Sequence, residues 1–235
     1  MNNNKIRIIA EIGHNFNGSM KIAKDMILEA KECGADLVKF QLYDVNTIKK
    51  PYQSRYFELW AAELSKENLL ELKETAKEIG IELFASVFSA DRVDWLENIG
   101  VKRYKIASRS IYDSKLIKRI ELTGKPIIAS LGKWKEQGFP KIKNAEYLYC
   151  VSDYPAKIDR DKFPKKFNSN GYTGFSDHTI GTGWAKEALR RGATILEKHF
   201  TLSKQLPGYN QEGSCEPYEL KDIVKFARQR EQDIS

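Results

Sequence analysis

The chain has 235 residues, between one large domain and two small ones, and its 41% hydrophobic and 11% aromatic content is too apolar for disorder and sufficient for a core without disulfide staples. Thirty-nine Lys and Arg against 32 Asp and Glu leave a formal charge of +7, which an anionic small substrate explains as well as nucleic acid does; the doublets Lys49-Lys50, Lys165-Lys166 and Arg190-Arg191 are scattered, which argues against a nucleic-acid footprint and reads as solvated helix faces. No run reaches the roughly 18 apolar residues of a membrane span, Met1-Asn-Asn-Asn-Lys5 lacks a signal-peptide core, and Cys33, Cys150 and Cys215 form no C-x-x-C pair, so no membrane partner and a cytoplasmic location are expected.

Along the chain, Ile6–Ile12 reads as a first strand. Met20–Cys33 follows as a helix, with Ile22, Ala23, Met26, Ile27 and Ala30 returning every three to four positions. Strand Leu37–Leu42 precedes a helix over Lys66–Ile79, where Leu69, Leu70, Leu72, Ala76 and Ile79 keep the same period. Strand Ile81–Ser86, helix Ala90–Asn98, strand Arg103–Ala107, helix Ser114–Leu122 and strand Pro126–Leu131 continue the alternation. Strands Tyr147–Val151 and Gly174–Ser176, helix Gly183–Arg191, strand Thr194–Lys198 and helix Pro217–Gln232 complete it. Between Leu131 and Tyr147, Gly138 and Pro140 interrupt any three-turn helix, so the fifth helix is expected to be missing or reduced to a turn. Strands alternating with helices imply a parallel sheet, and eight units in this length fit an α/β (β/α)8 TIM barrel, one helix short, over residues 1–235. A doubly wound open sheet is the alternative, but no G-x-G-x-x-G follows the first strand.

A parallel barrel gathers its chemistry at the C-terminal strand ends. There the sequence places Glu11, Lys39, Gln41, Ser86, Lys105, Ser108, Ser130, Asp153, Ser176, Asp177, His178, Glu197 and His199. His178 and His199 lie 21 residues apart, about one βα repeat, so their imidazoles are placed to meet one divalent ion with an open coordination position. Lys39 and Lys105 allow three readings: ion pairs to Glu11 or Glu197, capture of a phosphate or carboxylate, or Schiff-base chemistry.

Several ordered segments carry a resemblance: Ala10-Glu11-Ile12-Gly13 with Asn17-Gly18, Val38-Lys39-Phe40-Gln41, Tyr104-Lys105-Ile106-Ala107-Ser108, Lys125-Pro126-Ile127-Ile128, Tyr154-Pro155, Phe175-Ser176-Asp177-His178-Thr179 and Leu196-Glu197-Lys198-His199-Phe200-Thr201. The chain resembles the N-acetylneuraminate (sialic acid) synthases and their nonulosonic-acid relatives. The resemblance implies condensation of phosphoenolpyruvate with an open-chain N-acetylated amino sugar, with C–O cleavage and phosphate release. It implies a divalent metal on His178 and His199, Mn2+ with Mg2+ or Co2+ as alternatives. Lys39, Lys105, Ser108 and Ser176 match phosphoenolpyruvate-binding positions, Gln41, Tyr154 and Asn210 match the sugar side, and Glu11 matches a strand-one glutamate of the site.

The sequence also departs from that family's pattern. Ser110 stands where a glutamate is usual, Tyr149-Cys150 replaces His-Cys, Pro207-Gly208-Tyr209-Asn210 replaces Pro-Gly-Pro-Asp, and Phe16 stands in the strand-one loop where Asn-His-Asn-Gly is common. The resemblance covers the barrel without the family's small antifreeze-like domain, so a homo-oligomer or a separate capping protein is expected to close the sugar side. The alternatives are a non-catalytic barrel that binds an anionic ligand or a partner protein, and a metal-independent Schiff-base aldolase using Lys39 or Lys105.

Overall fold

A computed structural model of the protein describes residues 5–169 and 171–234. Eight parallel strands close a barrel in sequence order: β1 (Arg7–Gly13), β2 (Leu37–Leu42), β3 (Glu82–Val87), β4 (Tyr104–Ile106), β5 (Ile127–Ser130), β6 (Ala145–Cys150), β7 (Tyr172–Asp177) and β8 (Ile195–His199). The surrounding helices are α1 (Met20–Glu32), α2 (Val45–Ile48), α3 (Tyr56–Ala61), α4 (Lys66–Ile79), α5 (Ala90–Asn98), α6 (Ser114–Glu121), α7 (Gly183–Arg190) and α8 (Pro217–Ile234).

Period-two alternation sorts each strand into an outer and an inner face. Outward residues such as Val38, Phe40, Leu83, Ala85, Ile127 and Phe175 join the main core beneath the helices. Inward residues form layers. Ile9, Leu37, Phe84, Ile128, Leu148 and Ile195 make a separate apolar plug inside the barrel. Two residues further along the same strands stand Glu11, Lys39, Ser86, Ser130, Cys150 and Glu197, so the alternation that fills the plug also lifts the polar groups above it. Gly174 leaves the room this requires, because a Cβ there would lie 2.0 Å from the Ile195 carbonyl oxygen.

The expected absence of a helix between β5 and β6 holds, but the barrel lacks two helices among its described residues. Residues 151–169 and Gly171, between β6 and β7, carry none either. Pro155 and Pro164 interrupt that segment, and Asn168 and Gly171 adopt positive φ (61° and 100°). Aromatic side chains cover the wall in place of helices. Phe139 packs on Tyr147 and Tyr172, while the buried Phe163 meets Tyr149, Phe175 and Trp184 at ring separations of 4.9–5.4 Å. The connection after β2 holds the unexpected short helices α2 and α3. Val45 of α2 and Tyr56 and Leu59 of α3 join Tyr43, just after β2, in a small apolar cluster at the barrel mouth.

Candidate active site

All ten residues expected to act, Glu11, Lys39, Gln41, Lys105, Ser108, Tyr154, Ser176, His178, His199 and Asn210, line one cavity of about 250 Å³ at the C-terminal mouth. Two other strand-end residues do not. Asp153 is exposed beside the site, and Asp177 points outward between Ser176 and His178. Alternation is the cause in the second case. Asp177 forms a buried ion pair with Lys198 Nζ at 3.0 Å on the outer face, while Ser176 Oγ donates to Glu197 Oε1 at 2.9 Å on the inner face. The register pairs Ser176 with Glu197 and Asp177 with Lys198, so β7 and β8 are tied on both sides.

The floor is a network of charges held by adjacent strands. Lys39 Nζ lies 2.7 Å from Glu11 Oε2 and 3.7 Å from Glu197 Oε2, and it donates to Ser86 Oγ at 2.9 Å. Lys105 Nζ donates to Ser130 Oγ at 2.7 Å and lies 3.5 Å from Glu197 Oε1. Glu11 Oε1 accepts from Gln41 Nε2 at 2.7 Å. The ion-pair reading of the lysines therefore describes the structure, and any anion must enter a floor where two ammoniums already face two carboxylates.

Electrostatics divide these four groups. Burial raises the Glu11 carboxyl against the pull of Lys39, whereas at Glu197 the same burial is outweighed by Lys105 and Lys39, which hold it below the usual carboxylate range. Burial acts to strip the Lys39 proton, but Glu11 and Glu197 reverse this and keep the ammonium above its ordinary value. At Lys105 burial prevails and lowers it. Two neighbouring carboxyls pushed apart in this way are suited to different proton states.

The histidines stand across the cavity with ring centroids 5.7 Å apart. His178 Nδ1 donates to the Val151 carbonyl at 2.8 Å, which leaves Nε2 facing the site, where the Tyr154 hydroxyl lies at 3.2 Å. The Tyr154 ring stacks on His178 at 4.2 Å. His199 Nδ1 is buried without a hydrogen-bond partner, and burial followed by the charge of His178 keeps the ring's pKa well below the ordinary value. A neutral imidazole with an unspent nitrogen beside a second of fixed tautomer fits a divalent ion. Among the described residues no group of three or more His, Cys, Asp and Glu side chains gathers into a closed metal centre, so the fit is to an open two-histidine site.

The family model described as the NeuB family matches residues 26–235. The chain belongs to the NeuB family. NeuB-family chemistry is phosphoenolpyruvate-dependent aldol-type condensation. An uncharacterised protein of Methanocaldococcus jannaschii is 36% identical over 94% of this chain and 69% of its own length. The N,N'-diacetyllegionaminic acid synthase of Legionella pneumophila is 34% identical over 95% of this chain and 72% of its own. The crystal structure of an N-acetylneuraminic acid synthetase from Leptospira borgpetersenii, in complex with citrate, superposes with a TM-score of 0.90 at 29% identity, covering 99% of this chain and 86% of that one.

Sequence reasoning missed four cavity residues that matter for charge: Lys49, Arg55, Arg109 and Lys133. They lie in loops and short helical turns where no periodicity marks them. Arg109 alone carried a signal, since it directly follows Ser108.

Proposed function

We propose that this barrel condenses phosphoenolpyruvate with the open-chain aldehyde of an N-acetylated amino sugar, a step of nonulosonic acid biosynthesis. Carbon 3 of phosphoenolpyruvate bonds to the aldehyde carbon, water adds at carbon 2, and the C–O bond to phosphate breaks. The observation that carries this reading is the convergence on one cavity of two buried lysines, a row of hydroxyls and two histidines with available nitrogens. Lys39 and Lys105 supply the positive charge for the phosphoenolpyruvate anion. Ser86 and Ser130 already accept from these lysines, and Ser108 Oγ accepts from the Gly132 N–H at 3.0 Å, so all three keep a hydroxyl proton to donate to anion oxygens.

Glu197 stays ionised between the two lysines and Ser176, orienting all three. Glu11, whose proton is held more firmly, is the group suited to giving and taking a proton at its Oε2. Gln41, Tyr154 and Asn210 face the acceptor, and the Asn210 amide oxygen is buried with no hydrogen-bond partner. His178 and His199 would hold a divalent ion, Mn2+ first among candidates, which when bound supplies Lewis-acid polarisation of the aldehyde oxygen. Tyr154 and Tyr209, 42% and 55% exposed, leave the acceptor side open, and closure by a second copy or another protein belongs to this proposal.

The test is phosphate release from phosphoenolpyruvate with a panel of N-acetylated aldoses and Mn2+. Release that requires both aldehyde and metal is expected, with no borohydride-trapped adduct on Lys39 or Lys105. Binding of phosphoenolpyruvate without release across the panel favours the non-catalytic alternative, and a trapped adduct favours the Schiff-base one.

A further inference from the structure

Two histidines share an ion only if separate strand ends hold them at one distance, and the β7–β8 ladder stops short of doing so. Its last paired residues are Asp177 and Lys198, one position before each histidine. His199 still lies in the sheet, opposite Glu11 of β1, but His178 stands beyond the end of β7. The connection after β6 holds His178 from one side. There Nδ1 donates to the Val151 carbonyl at 2.8 Å, and the His178 carbonyl accepts the Ala156 N–H at 2.9 Å. Neither contact reaches β8. Lys198 does: its Nζ lies 3.0 Å from Asp177 Oδ2 and donates to the Thr179 carbonyl at 2.7 Å, while Asp177 Oδ1 accepts the Thr179 N–H at 2.8 Å. Both neighbours of His178 are thereby fastened to the residue that precedes His199. His199 is anchored beyond itself, where its carbonyl accepts the Cys215 N–H at 2.7 Å and the Phe200 N–H donates to the Glu11 carbonyl at 2.8 Å.

Stability alone does not call for charges at this place. Asp177 and Lys198 are 0% and 2% exposed on the outer face, where β2, β3 and β5 bury Val38, Phe40, Leu83, Ala85 and Ile127. Taking two charges out of water costs about as much as their attraction returns, so an apolar pair would join the strands as firmly. What the charged pair adds is direction. Apolar contacts let strand ends slide past one another, whereas hydrogen bonds of fixed length and angle do not.

We propose that Asp177 and Lys198 are positioning residues for the histidine site: from the outer face of the barrel they set the separation and aim of the two imidazoles on the inner face. This rests on the reading above that His178 and His199 hold a divalent ion, and it adds the residues that make them a pair. Neither Asp177 nor Lys198 lines the cavity, so both act through the backbone on either side of His178. Three successive cross-strand pairs then have distinct tasks. Ser176 and Glu197 orient the floor, Asp177 and Lys198 fix the strand ends, and His178 and His199 meet the ion.

The test is Mn2+ affinity of the full chain by equilibrium dialysis, read well below every variant's melting transition so that unfolding does not enter. Lys198→Met is expected to weaken Mn2+ binding by roughly tenfold or more, the loss typical of removing a group that orients a metal ligand. Asp177→Asn keeps an oxygen that accepts a hydrogen bond and should lose less. Asp177→Leu with Lys198→Met removes both charges, and it is the variant to read if Lys198→Met alone does not fold. It should regain stability over Lys198→Met yet bind Mn2+ as weakly, a separation that a purely structural pair would not show. The visible spectrum of the Co2+-loaded chain should change in the same variants. Leu83→Ala, which weakens the outer core on β3 away from both histidine strands, should bind Mn2+ as the unaltered chain does. Unchanged Mn2+ affinity in the folded Lys198 variants, or an equal loss in Leu83→Ala, overturns the inference and leaves the two-histidine site standing. Mn2+ uptake that is absent from the unaltered chain, or that survives His178→Ala with His199→Ala, overturns the metal reading itself and this inference with it.

Discussion

Lys39 illustrates how tightly binding and stability are joined at single side chains. It is 2% exposed, bonded to Ser86 and paired with Glu11. Replacing it would delete the anion ligand proposed above and strand a buried carboxylate, a loss of about 3–5 kcal/mol when a buried pair is broken on one side. Lys39→Met is therefore expected to weaken phosphoenolpyruvate binding by roughly tenfold or more and to lower the denaturation midpoint. Adding Glu11→Gln to Lys39→Met should restore much of the stability but none of the affinity, a separation that paired denaturant and calorimetry curves measure directly. The histidines make a second case. Neither is ion-paired to a floor carboxylate, so His178→Ala with His199→Ala is expected to abolish Mn2+ uptake with little effect on phosphate binding. Unchanged Mn2+ binding by equilibrium dialysis would remove them as ligands.

At the scale of elements, the mouth is shaped by the connection that carries α2 and α3. Glu58 of α3 lies 3.4 Å from His14 Nε2 in the β1 loop and accepts the Tyr209 N–H at 3.2 Å from the loop after β8. The hydrogen bond from His14, then the Tyr209 N–H and Arg55, overcome partial burial and lower the Glu58 carboxyl from its ordinary 4.5 to about 2. A carboxyl depressed in the folded state contributes stability that is fully present above its unfolded value and lost as pH falls through the folded one. Glu58→Gln should therefore lower Tm at pH 6 and make no difference near pH 2, with the gap closing between about pH 4.5 and 2. A gap independent of pH would assign the effect to packing.

The same elements show what the sequence carries and what it leaves out. Alternation in Leu37–Leu42 and Ile195–His199 announced which side chains meet inside the barrel, because period two is a local property. Pro140 and Gly138 likewise announced the absent fifth helix. Pro155 and Pro164 supply the same signal for the missing sixth. Asp177 was placed in the site although the alternation that turns His178 inward turns it out. The Arg55–Glu58–Tyr209 contact joins residues about 150 positions apart through loops, where no period exists to betray it.

On the scale of the whole molecule, the two missing helices leave the barrel unevenly clad. β6 is the strand with helix-free connections on both sides, and its outward residues Ala145, Tyr147 and Tyr149 are only half-buried. A strand's amides exchange with solvent by local opening, whose free energy falls where few buried contacts must be broken. Deuterium uptake followed by mass spectrometry is expected to be fastest in β6 among the eight strands, while β1 and β8, wrapped by α1 and α8, exchange slowest. Equal protection all round would mean that the aromatic cladding performs as well as helices. Because β6 ends in Cys150 and leads to Tyr154, its opening loosens the wall beside His178. The cavity would then gain a slow side entrance for water, and its permeability would be set by the ring contacts of Phe139 and Phe163.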